Sequence, residues 1–361
     1  MREPDLLRQR TEVAEHRAAT LAQALTADLL RPTPARGATG DLLANLTAAR
    51  DDLGRLVMQM RQVTGPPTLH ERRPVRGQIA TAQYLRDLRA RLRLCDQALA
   101  AAAVCGAGHD WPLLPDPVPV LDLAAVQERL NADLLTAMTY ALTPAPQTAD
   151  AVDLGCFPDI PLHAARFMRN IHLAHRMLLA RKHAGPARFI DIGCGGGLRV
   201  AQAAQIFAVA DGLDYDAGYV AAAEHAFAAM CNPRCRAFLG DGMTFDGYAG
   251  YDVLYFFEPM YQPELLAMEA RMVGRSRPDV IVIAPGHHFE FRAAGLGLTR
   301  INDAVYVKDS ATAALLAETR RMGPHVTSPD HRLPPVASWV APLWRACLAN
   351  GIDPDAVAPP R

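Results

Sequence analysis

The 361-residue chain predicts two architectures in series: an N-terminal all-α helical bundle, then a doubly wound α/β domain with a mainly parallel sheet. Three observations carry this. Through the first 140 residues or so, apolar side chains recur at helical steps. Beyond residue 160 short apolar runs alternate with helical segments, the order of parallel strands covered by helices on both faces. Where the first such strand meets its helix stands FIDIGCGGGLRVAQAA (189–204), in which 193–197 are glycine or cysteine throughout. Glycine loses more backbone freedom on folding than any other residue, so this density marks a place that something approaches closely.

The elements follow in order. Residues 5–30 put Ala14, Ala18, Leu21 and Leu25 on one side. In 42–63, Leu42, Leu46, Ala49, Leu53, Leu56, Met60 and Val63 step by fours and threes, a narrow seam with Asp51, Asp52, Arg55 and Arg61 off it. Leu85, Leu88, Leu92, Cys95 and Leu99 form a third stripe, and Leu123, Val126, Leu130, Leu134 and Ala137 a fourth. Pro/Gly-rich connectors at 31–40, 64–77 and 111–120 separate them, so the four helices read as a bundle. The stretch LTPAPQTADAVDLG (142–155) serves as the boundary, with a helix expected over 161–182. Strands are expected in RFIDIG, AVADGLDY, RCRAFLGDG, YDVLYFFEP and DVIVIAPG, with AVYVKD (304–309) as an edge strand. The expected division is 1–145, 146–310 and a C-terminal helical appendage over 311–361.

Composition narrows the function classes. Half the residues are hydrophobic and 21% are charged, as in ordinary globular proteins. A net charge of −1 gives no global attraction to nucleic acid or anionic membrane. MREPDLLRQR has no signal-peptide core, and no apolar run reaches the length needed to cross a bilayer. Seven irregularly spaced cysteines do not read as a disulfide framework. The expectation is a reduced, cytoplasmic protein. Cys231 and Cys235 lack a second ligand pair, so no metal site is expected. The basic run from Arg72 to Arg93 places Arg86, Arg89 and Arg93 opposite Leu85, Leu88 and Leu92, the pattern of a solvated bundle face.

The glycine turn has two chemical readings. A nicotinamide or flavin pyrophosphate wants G-x-G-x-x-G/A, and the sixth position counted from Gly193 is Leu198. What stands there is D-x-G-x-G-x-G, with Asp191 two residues before the first glycine. A carboxylate there repels a pyrophosphate and suits a cationic ligand.

FIDIGCGGG, followed in order by DGLDYD (211–216), FLGDGMTFD (238–246) and YDVLYFFEPM (251–260), resembles the class I (seven-strand) S-adenosylmethionine-dependent methyltransferases over roughly 186–286. The resemblance implies a Rossmann-like methyltransferase sheet with S-adenosyl-L-methionine as cofactor. It puts Asp191 near the amino acid moiety, with Gly193, Gly195 and Gly197 allowing close approach. Asp214, beside Tyr215, falls where an acidic residue takes both ribose hydroxyls, with Asp216 as the substitute. Asp241 falls at the adenine amino group, with Gly242 and Met243 walling the ring. A lone glycine turn is as often a tight connection; the downstream carboxylates in order favour the cofactor.

Methyl transfer is an in-line displacement to which alignment and desolvation contribute much, and the nucleophile must lose a proton. The strand ends offer Glu258 as base, with His287 and His288 after the fifth strand, and Tyr255, Phe257 and Tyr261 as an aromatic wall. Solvent-facing loop positions are the competing reading of Glu258 and of the histidines. Glu258-Pro259-Met260 stands where the histone-lysine and amino-methyltransferases of this fold carry asparagine–proline motifs, so neither acceptor is implied. The expected function is methyl transfer to a nitrogen or oxygen of a small molecule or protein side chain. Aminocarboxypropyl transfer from the same cofactor and a non-catalytic adaptor are the alternatives. The helical part would cover the substrate mouth, supply specificity or form a homodimer.

Overall fold

The helical stripes of the first hundred residues become three long helices, α1 (Glu3–Leu29), α2 (Arg36–Thr64) and α3 (Arg76–Gly106). The computed structural model describes residues 3–31, 36–64, 76–114, 147–159, 164–183, 185–286, 288–308, 311–324 and 338–357. The stripe from Leu123 to Ala137 and the candidate His287 lie outside them. Two compact units divide the chain, one of Met1–Asp110 with His325–Arg361, the other of Trp111–Pro324.

In the first unit the buried seam of α2 is Leu46, Ala49, Leu53, Val57 and Met60. Val57 takes the place expected of Leu56, because a 3.6-residue repeat drifts off a strict heptad. Ala18, Ala22 and Leu25 of α1 and Leu88, Cys95 and Ala98 of α3 bury with it.

The second unit holds α4 (Ala149–Asp153), α5 (Ala164–Ala180), β1 (Arg188–Ile192), α6 (Leu198–Ala203), β2 (Val209–Asp214), α7 (Ala217–Ala229) and β3 (Cys235–Leu239). Then come β4 (Val253–Phe256), α8 (Glu264–Arg275), β5 (Ile281–Ile283), α9 (Phe289–Ala293), β6 (Thr299–Arg300), β7 (Val305–Val307) and α10 (Thr312–Arg321). A last helix, α11 (Ala341–Ala349), belongs to the first unit.

The expected doubly wound sheet is present, seven strands in the order β3-β2-β1-β4-β5-β7-β6. β1 to β5 are parallel; β7 runs antiparallel to β5 and β6. AVYVKD therefore forms a strand, but second from the edge. The edge is the two-residue β6, too short to leave any alternation in the sequence.

Both faces are buried, which is why the strands read as nearly continuous apolar runs. On one face Ile190, Ile192, Leu254, Phe256 and Val282 pack with Met268 and Met272 of α8. On the other, Phe189 stacks with Phe207 and meets Phe167 of α5 edge-on. The strand order reverses between β1 and β4, so their C-terminal ends part and leave a crevice, the usual ligand position in open α/β sheets. Among the described residues no helix is long and apolar enough to cross a membrane.

Candidate active site

The crevice is a cleft of about 900 Å³, its open mouth included. Its floor is the turn after β1. Gly193 N and Cys194 N donate to the carbonyl of Leu213 at 2.8 and 3.2 Å. Gly195 N donates to Asp214 Oδ2 at 2.7 Å, and Gly196 N to Asp159 Oδ2 at 3.0 Å. Four successive N–H groups are thus taken by a carbonyl and two carboxylates. A phosphate nest needs those groups free and wants no carboxylate beside them. The turn is therefore built against a pyrophosphate.

Gly195, at φ +51°, lies directly under the Asp159 carboxylate; a Cβ there would stand 2.6 Å from Oδ2. Gly197 plays a different part from the one expected. It caps the start of α6 at φ +81°, and a Cβ would meet Phe227 and Ala223 of α7 at 2.6 and 2.8 Å. It does not line the cleft: its missing side chain lets two helices pack.

Asp191, Gly193, Gly195, Asp214, Tyr215, Asp241 and Gly242 all line the cleft, as do Tyr255 and Glu258. Met243 does not; its side chain packs against the core cluster on the face of the sheet that α8 covers. Asp216 lines the cleft but is committed as the N-cap of α7, accepting from Gly218 N and Tyr219 N. That leaves Asp214, rather than Asp216, to face a ligand. Asp214 Oδ1 accepts from Asp216 N at 2.8 Å, and each of its oxygens keeps a lone pair for another donor. Asp241 Oδ1 accepts from Met243 N at 2.8 Å.

Burial raises the Asp214 carboxyl to about 6, against the pull of the two N–H groups it accepts. Asp191 is 2% exposed, and among the described residues no group donates a hydrogen bond to it. Burial holds it well above the carboxylate range; Arg199 pulls it down while Asp159 and Asp214 push it up.

Glu258 follows β4 at φ +41°, a left-handed backbone that a non-glycine residue adopts only where the surroundings enforce it. Its Cγ and Oε1 would lie 2.6 and 2.9 Å from a Cβ at Gly286, so the loop after β5 is shaped to admit this side chain. Tyr255 is buried in β4, its ring edge-on to Phe167 at 5.0 Å. It walls the cleft from the core side.

Several cleft residues carry no sequence signature. Asp159, Cys156 and Phe157 arrive on the segment Gln147–Asp159, which crosses the C-terminal edge of the sheet. Thr148 N and Oγ1 donate to Asp216 Oδ2 at 2.6 and 3.0 Å. Phe157 N donates to the Pro259 carbonyl, and Tyr261 N to that of Gly155. These bonds join residues 60 or more positions apart, which no local pattern reports.

No family model matches the chain, and no curated protein matches it. Similar solved structures include an amino pentose methyltransferase from Micromonospora echinaspora with bound S-adenosylmethionine, at 24% identity and TM-score 0.27 over 37% of this chain and 60% of that one. An RNA methyltransferase from Salinibacter ruber in complex with S-adenosyl-L-homocysteine matches at 16% identity and TM-score 0.31, over 41% of this chain and 91% of that one. Magnesium protoporphyrin IX methyltransferase from Synechocystis PCC 6803 matches at 15% identity and TM-score 0.32, over 53% and 96%. In other matches the chain spans only 46% and 49% of the neighbour's length. The fold, a seven-stranded Rossmann-like sheet whose seventh strand runs antiparallel beside the fifth, is the one implied by the chain's resemblance to the class I S-adenosylmethionine-dependent methyltransferases.

Proposed function

We propose that the cleft binds S-adenosyl-L-methionine and that the protein transfers its methyl group to a nitrogen or oxygen nucleophile. The observation that carries this is the glycine turn itself, whose N–H groups are bonded to carboxylates and whose approach is ringed by Asp159, Asp191 and Asp214. Such a turn repels phosphate and admits a ligand with positive charge and hydroxyl donors. Asp214 would take the ribose hydroxyls, Asp241 the adenine amino group, and Asp191 the ammonium of the amino acid part. Gly193 and Gly195 shape the floor under that ligand, their missing side chains making room for Pro259 and the Asp159 carboxylate rather than for the ligand itself. When bound, the sulfonium supplies an already activated methyl group. The chain's own part would be to align an acceptor, exclude water and receive a proton, a role this reading gives to Glu258, two residues beyond β4 in the cleft lining.

The test is product analysis with methyl-labelled S-adenosylmethionine and a pooled panel of amines and alcohols. Label should move to an acceptor while S-adenosylhomocysteine accumulates. Glu258→Gln should lower the rate about 100-fold, a usual effect of removing a general base. Release of methylthioadenosine would instead mean that the aminocarboxypropyl group is transferred. No turnover at all, with S-adenosylhomocysteine bound, would favour an adaptor.

A further inference from the structure

Asp159, Asp191, Asp214, Asp216, Asp241 and Glu258 all line the cleft, and Arg199 is the lysine- or arginine-type cation lining it among the described residues. Four of these six already accept backbone N–H groups: Asp159 from Gly196, Asp214 from Gly195 and Asp216, Asp216 from Gly218 and Tyr219, and Asp241 from Met243. Two are left. Asp191, buried in the cleft wall, and Glu258 accept no hydrogen bond among the described residues; Arg199 acts on the first, and Arg292, itself bonded to Glu269 and outside the cleft lining, on the second, through space only.

These two stand at the ends of neighbouring strands. Asp191 pairs in register with Tyr255, and Glu258 follows that residue by three positions. Phe157, Tyr255 and Phe257 line the same cleft. A carboxylate beside aromatic faces in a sheltered site is a setting for an ammonium group, whereas a carboxylate, phosphate or phenolate acceptor would be repelled. The backbone at Glu258 is held left-handed, and the glycine at 286 makes room for its side chain. That is a specified position rather than an incidental one.

We infer that the acceptor is an amine that arrives as its ammonium and is held by Glu258. This deepens the methyltransferase reading and rests on it: the cofactor brings one ammonium, which Asp191 would take, and Glu258, whose neighbouring Arg292 is already spent on both oxygens of Glu269, keeps its oxygens for a second. In the transfer the acceptor R–NH3+ gives one proton to the Glu258 carboxylate. The freed nitrogen lone pair forms the N–C bond as the C–S bond breaks, and that bond's electron pair stays on sulfur, giving the thioether. The proton then leaves Glu258 for water, so an ammonium and a sulfonium yield a methylammonium, a thioether and one proton.

The test is binding to the full-length protein, with and without saturating S-adenosylhomocysteine, by calorimetry. The probes are spermidine, an uncharged polyether of similar length, and the dicarboxylate azelate. Spermidine should bind at least about tenfold more tightly than either of the others. Glu258→Gln should weaken spermidine by about tenfold or more and leave S-adenosylhomocysteine within about twofold, since a charge-assisted hydrogen bond is lost only at the acceptor position. Equal binding of the three probes by the wild type, preference for azelate, no binding of spermidine, or wild-type affinity in Glu258→Gln would each overturn the inference. If S-adenosylhomocysteine fails to bind while spermidine still binds through Glu258, the cofactor reading falls and the amine site stands. If S-adenosylhomocysteine binds and spermidine does not, the reverse holds.

Discussion

Asp214 lies 9% exposed at the end of β2, bonded to the N–H groups of Gly195 and Asp216. With its carboxyl raised from 3.8 to about 6, the folded protein without ligand holds this proton more tightly than the unfolded chain does. Stability from this group is therefore present below pH 4 and is lost as pH rises through about 6, an effect on the order of 2–3 kcal/mol. Under the proposed ribose contact, ligand binding has the opposite sign, because hydroxyls donate best to the ionised form. S-adenosylhomocysteine affinity should rise about tenfold or more between pH 5 and pH 7.5, and Asp191 acts in the same direction. Asp214→Asn should bind more weakly at pH 7.5 and lose much of that slope, as calorimetry at both pH values would show. An unchanged slope in the variant would remove Asp214 from the site. Asp191, Asp214 and Asp241 were legible because each sits at a strand's C-terminal end, where a motif has a fixed offset. Asp159 was not, since it meets the turn from 37 positions away.

The segment Gln147–Asp159 is the element that most shapes the cleft. It is tied to the N-cap of α7 through Thr148, to the loop after β4 through Phe157 and Gly155, and to the glycine turn through Asp159. Thr148→Val removes one hydroxyl donor to Asp216 while keeping the backbone bond. The segment should then open more easily by about 1 kcal/mol, read as faster amide exchange over 147–159 with β1 and β4 unchanged. Equal exchange in wild type and variant would mean that the hydroxyl bond does not hold the segment. The strands were legible because parallel strands buried on both faces read as apolar runs. The segment was not: FPDIP has no periodicity as a sequence, and the bonds that tie Thr148, Phe157 and Asp159 to the rest of the cleft are tertiary. The position of β7 inside the sheet was equally hidden, because its neighbour β6 is two residues long.

At the scale of the whole molecule, a chain of net charge −1 carries a cleft lined by six carboxylates. Charge is concentrated where composition shows none, so bulk numbers were silent on the sign of the cleft while the single residue Asp191 pointed to it. The fold class was readable because a helical period gives way to strand–helix alternation; the cleft's full lining depends on contacts that only the folded chain makes. Calorimetric titration of the protein with S-adenosylmethionine, S-adenosylhomocysteine and NAD separates a cleft for a cationic cofactor from one for a dinucleotide. Dissociation constants on the order of micromolar are expected for the first two, with no heat on adding NAD. Binding of NAD, or of neither adenosyl ligand, would contradict a cleft built around a cationic, phosphate-free cofactor.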